Sequence, residues 1–160
     1  MDDDPKFGEW IAWLLEGGHA HMPLEAAVAE FPEEAINQKP PNVPYTPFAL
    51  LEHLRRTQAD ILEYVTEADY EEKEWPEDYW PPQDYQASSQ EWERTLREFQ
   101  EDLEALADMA RNPDVSLLQP LEHAPEHNLL RELLIVADHN SYHLGEFAIL
   151  RQVMGTWGEG

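Results

Sequence analysis

The chain has 160 residues, no cysteine, and 34 acidic against 10 basic side chains, for a formal net charge of -24. A surface this negative repels phosphate backbones and anionic lipid, which argues against nucleic acid and membrane as partners; without thiols there can be no disulfide and no Cys-ligated metal. The length suits a single domain over residues 1–160 with a core that needs no staple.

The opening MDDDPKFGEW has neither the basic n-region nor the apolar stretch of a signal peptide, and no apolar run approaches the ~20 residues that span a bilayer, so a cytoplasmic location is expected. The cations include only three lysines (Lys6, Lys39, Lys73), which suits a surface adapted to solubility or to high internal salt. Asp4-Pro5 reads as cap and first-turn residue of a helix carrying Phe7, Trp10, Ile11, Leu14 and Leu15, stopped by Gly17-Gly18. A short helix is predicted over 23–31, then an extended Pro- and Asn-rich connection to Pro47.

Thr46 caps the second long helix with Pro47 at its first position, and Tyr45 and Leu50 stand where a hydrophobic staple packs. Leu51, Leu54, Ile61 and Val65 form its apolar stripe. Segment 68–87 is too long for a tight turn and lets the helices on either side run parallel. Its aromatic residues Tyr70, Trp75, Tyr79, Trp80 and Tyr85 predict a strap over the core, with a lid or cavity wall as the alternative.

The capping box from Ser88 to Glu91 opens a third helix whose seam is Trp92, Leu96, Phe99, Leu103, Leu106 and Ala110, ended by Asn112-Pro113. A fourth is predicted from about Pro125 to Met154, with Leu129, Leu133, Val136, Phe147, Leu150 and Met154 inward and Gly155 as its stop. Nothing reads as a strand or repeat. The fold class expected is all-α, a four-helix bundle with a long crossover between its second and third helices.

Chemistry concentrates on the last helix. His139 and His143, at i and i+4, share a face and can grip one divalent ion, and Asn140 and His143 sit on an apolar seam where polar groups are costly unless paired or coordinated. His53, among Leu50, Leu51 and Leu54, is the expected third ligand. Three imidazoles suit zinc, nickel, iron or copper and leave coordination positions open, as catalytic sites do. Glu146 and Asp60, each on roughly the same face as a histidine, are candidates for a further ligand, a partner to an imidazole N–H or a general base, set against a solvated acidic face. Asn140 and Tyr142 are candidates to orient ligands. Gly145 predicts close approach by another helix or a ligand. His19 and His21 form an H-x-H turn expected near the cavity mouth, with His21 the closer, while Pro125 separates His123 from His127 and leaves both as surface residues.

GGHAHMPLEAAVAEFP, YTPFALLEHLRRTQADILEY and LLRELLIVADHNSYHLGEFAILRQVMG, in that order, resemble the DinB-like superfamily of metalloenzymes. The most specific part is the H-x-x-x-H followed by Gly on the last helix, preceded by one His on the second. The resemblance implies an up-down-down-up bundle, nickel or zinc on His53, His139 and His143, and a homodimer. It also implies a small-molecule substrate, handled by a metal-dependent hydrolase or by a transferase or isomerase using a low-molecular-weight thiol such as bacillithiol or mycothiol. Glu146, where such proteins often carry glutamine, and the acidic aromatic crossover depart from the pattern. The competing class is a non-catalytic metal-binding or interaction bundle.

Overall fold

A computed structural model describes residues 5–158. The helices are α1 (Pro5–Glu16), α2 (Leu24–Val28), α3 (Pro47–Thr66), α4 (Ser89–Arg111) and α5 (Leu129–Met154), with a 3-10 turn at Glu33–Ala35 and no strand among the described residues. Asp4, the predicted cap of α1, lies outside them.

The other stops and starts follow backbone chemistry. Thr46 accepts a hydrogen bond from the Ala49 N–H, and Ser88 and Glu91 close a reciprocal box at the head of α4. Gly155 ends α5 in the left-handed conformation (φ 63°). Two predicted boundaries shift. The helix after Pro23 is only Leu24–Val28, because Ala29 leaves helical geometry and Glu30 turns to positive φ ahead of Pro32. The last helix begins at Leu129 and not near Pro125: residues 120–128 fold back through a bridge between Pro120 and Asn128, and the Asn128 side chain caps the Arg131 N–H.

The long helices close a ring in which α1 packs on α4, α4 on α3, α3 on α5 and α5 on α1. Thr95 bonds Glu52 and Phe99 meets Gln58, so α3 and α4 run the same way, as the crossover requires. The core forms two apolar layers. One gathers Leu50, Leu51, Leu54, Phe99, Leu144, Phe147 and Leu150; the other gathers Ile11, Leu15, Ile61, Leu106, Leu133 and Val136. Among these apolar residues stands a belt of buried polar side chains that includes Glu52, His53, Gln58, Thr95 and Asn140. Buried polar groups persist only where partners satisfy them, so this belt marks where the fold departs from simple packing.

Gly8 supplies a close approach that the sequence pattern did not single out. A Cβ there would stand 2.1 Å from the Ala110 carbonyl oxygen, so α1 reaches α4 only with glycine at the contact. No helix approaches Gly145, contrary to that part of its reading, since nothing lies within 4 Å of where its Cβ would be.

Candidate metal centre

α3 presents His53 inward, about two turns after its capped start, and α5 presents His139 and His143 from successive turns toward the same point. The Nε2 of His53 stands 3.1 Å from that of His139 and 3.2 Å from that of His143. One nitrogen from each of the three lies within 4.8 Å of the other two. Nitrogens bound to zinc at 2.0–2.1 Å stand roughly 3.3 Å apart in a tetrahedron and roughly 2.9 Å apart on an octahedral face. The observed spacing falls between these values and fits a single ion with open positions.

The outer nitrogens decide which tautomers are present. His53 Nδ1 is 3.1 Å from the Tyr79 carbonyl oxygen, which can only accept, so Nδ1 carries the proton and Nε2 does not. His143 Nδ1 lies 2.6 Å from a Glu146 carboxylate oxygen, which fixes the same tautomer. With both rings neutral, the two Nε2 atoms face each other at 3.2 Å as acceptors. Lone pairs set against each other repel, and a shared cation relieves that repulsion. Burial pushes His53 down to about 4 and His139 down to about 3, with neighbouring imidazoles contributing to both. Neutral rings are the form that binds metal. The donor set fits a divalent ion, with a carboxylate and a carbonyl as outer partners of two ligands.

The crossover is part of this construction. Three successive carbonyls, those of Asp78, Tyr79 and Trp80, are taken by α3: Arg56 donates to the first and third, His53 to the second. One turn on, Asp60 accepts the hydroxyls of Tyr79 (2.6 Å) and Tyr70 (2.9 Å). Buried Glu52 holds Arg55 and Arg56, each at 2.8 Å. So anchored, the segment lays the Trp80 ring flat on His53, with centroids 3.9 Å apart and planes 7° from parallel. Tyr45 stacks on Trp80 at 5.5 Å, with its hydroxyl beside Glu146; burial, reinforced by that carboxylate, pushes the phenol up to about 12. The aromatic segment thus walls the centre as well as covering core, where the sequence pattern had favoured a covering strap.

Of the predicted site residues, His53, His139 and His143 come together, Glu146 holds His143, and Asp60 stands apart as the anchor of the crossover. His21 does not join them: it bonds Ser141 Oγ at 3.1 Å. His19 stacks on Trp13. Asn140 donates to Gln58 at 2.9 Å, and the largely exposed Tyr142 sets its ring edge to His143. His127 accepts from or donates to Tyr64 at 2.6 Å, tying the loop before α5 to α3. Sequence reasoning missed Tyr45, Trp80, Arg56 and Glu52 as neighbours of the centre. The E-H-x-x-R run on α3 is a signal for the last two, since i and i+4 place Glu52 against Arg56; the two aromatics lie in non-helical segments, where no periodicity reports a facing partner.

No helix among the described residues is long and apolar enough to cross a membrane. Searches of curated proteins and of solved structures return no match. The sequence model described as DinB superfamily matches residues 19–147, a span that contains all three clustered histidines and the residues around them. The chain belongs to the DinB superfamily.

Proposed function

We propose that the protein is a divalent-metal-dependent hydrolase of a small molecule, with His53, His139 and His143 as the ligands and zinc or nickel as the metal. The observation that carries this reading is the convergence of three imidazole nitrogens, the Nε2 of His53 standing 3.1 Å from that of His139 and 3.2 Å from that of His143, with the Nδ1 atoms of His53 and His143 turned outward to a carbonyl and a carboxylate. Such an ion supplies Lewis acidity and lowers the pKa of an oxygen or sulfur nucleophile. The chain's own residues do the rest. Glu146 orients His143 through its Nδ1 and is a carboxylate at hand to take up a proton. Tyr79 fixes His53 through its backbone. Trp80 keeps water from one side of that ring.

Hydrolysis is preferred over transfer from an anionic low-molecular-weight thiol because the arginines closest to the centre are engaged. Glu52 binds Arg55 and Arg56, and Arg56 also binds the crossover, so neither offers a free guanidinium to a thiol's carboxylate. We also propose that two copies pair through the outer face of α5, where Leu134, Tyr142, Ile149 and Val153 are exposed. Apolar residues in such number on one solvent face are a mark of an interface. Nucleic acid is not expected to bind a chain of charge -24.

The test is elemental analysis of untagged protein. Wild type should hold about one divalent ion per chain, and His143→Ala and His53→Ala should hold none while keeping the helical circular dichroism of the parent. Metal retained at full stoichiometry by His143→Ala would overturn the ligand assignment. A non-catalytic metal-binding bundle would bind the ion yet show no hydrolysis that chelation removes and added metal restores, across a panel of uncharged and cationic esters and amides.

A further inference from the structure

A concavity lies against the same aromatic wall. It has a volume of about 440 Å³ and is lined by Tyr45, Phe48, Trp80 and Tyr85 together with Pro76, Pro81 and other uncharged residues. That volume falls within the range of small-molecule sites. Trp80 and Tyr45 belong to both places: Trp80 stacks on His53, and Tyr45 stacks on Trp80 with its hydroxyl at Glu146. A molecule seated in the concavity therefore lies one ring away from the clustered histidines.

Its chemistry is one-sided. No lysine or arginine lines it. The four aromatic rings form two near-parallel pairs, Tyr45 with Trp80 at 28° and Phe48 with Tyr85 at 22°. Both phenols give their hydroxyls to carboxylates, Tyr45 toward Glu146 and Tyr85 to Glu91. A phenol that donates to a carboxylate gains electron density in its ring, which strengthens the attraction between the ring face and a cation. Around this lies a chain of net charge -24, whose field concentrates cations and repels anions.

We infer that the concavity binds an apolar organic cation, an ammonium group bearing hydrocarbon or aromatic substituents, and that it is the subsite holding the non-reacting part of the substrate. The second half rests on the metal-centre reading; the binding itself does not.

The experiment measures binding of benzyltrimethylammonium and of neopentylbenzene, its uncharged carbon isostere, by calorimetry and by quenching of tryptophan fluorescence. Salt is held at about 0.2 M to screen diffuse attraction. The cation should bind about ten- to thirtyfold more tightly than the isostere, the range expected of desolvated ring–cation contacts. Trp80→Leu and, at the exposed rim, Tyr85→Leu leave the net charge untouched and should each remove most of that preference. Equal or tighter binding of the isostere overturns the inference in favour of a plain apolar site. A preference that survives in both variants overturns it too, since diffuse charge would then account for the binding. Metal content measured on the same samples keeps the two readings apart: metal without cation binding defeats this inference alone, and cation binding without metal defeats the proposed function while the site stands.

Discussion

Replacing Glu146 by glutamine isolates the electrostatic part of the support that His143 receives. The carboxylate oxygen stands 2.6 Å from Nδ1, with the His143 side chain 12% and the Glu146 side chain 29% exposed. An outer partner of a metal-bound imidazole is typically worth 10–100-fold in metal affinity. Because water reaches part of this carboxylate and screens it, the lower end applies: about tenfold, or ~1.4 kcal/mol, for Glu146→Gln. Glutamine can still accept from Nδ1, so the tautomer is kept and only the charge is lost. Glu146→Leu removes both, and its loss should approach ~100-fold. Competition for zinc against a chromophoric chelator at fixed pH reads all three proteins on one scale. Affinities within about threefold across the series would refute the reasoning, because a partner that places a charge on the imidazole N–H and fixes its tautomer cannot be silent.

Gly8→Ala drives a methyl group into the Ala110 carbonyl and should cost about 1–3 kcal/mol or more, whereas Gly145→Ala, on an open helix surface, should be neutral or stabilise by up to ~1 kcal/mol; urea midpoints of the two variants check the contrast. Asp60→Ala strands two phenols and should lower stability by about 1–3 kcal/mol in the same assay, while fluorescence reports whether Trp80 leaves His53. For the metal-free protein, burial holds His53 at about 4 and His139 at about 3, below the ordinary 6.5. Below about pH 6.5 the unfolded chain takes up protons that the folded state refuses, so this contribution is fully present above 6.5 and is lost as pH falls toward 4 and 3. Urea midpoints should therefore drop more between about pH 7.5 and pH 5 in the metal-free wild type than in a His53→Gln/His139→Gln variant; equal drops would remove the burial account.

What was legible in the sequence follows from the range over which each signal acts. Caps are local: Thr46, Ser88 with Glu91, and Gly155 act within four residues, and all three hold. The cluster of three histidines was legible because helical spacing couples His139 to His143 and an apolar neighbourhood placed His53 inside. The start of α5 misread because Pro125 mimics a first-turn residue, while the cap that forms, Asn128, depends on a fold-back whose partner at Pro120 no short-range pattern reveals. Gly8 and Gly145 are alike in sequence terms, each a helical glycine, and only the neighbouring helix tells them apart. The crossover was hardest, since its aromatic residues lie in irregular backbone and their partners on α3 and α5 are distant along the chain.

The crossover grips α3 through main-chain oxygens at positions 78, 79 and 80, with the Tyr79 hydroxyl on Asp60 as the side-chain tie, so the hold on His53 does not run through the side chain at position 80. The Trp80 side chain is left to wall the centre. Exchanging Trp80 can therefore reshape the wall of the centre while the histidine geometry is kept, so the surroundings of the three imidazoles can be retuned within a connector without rebuilding a helix.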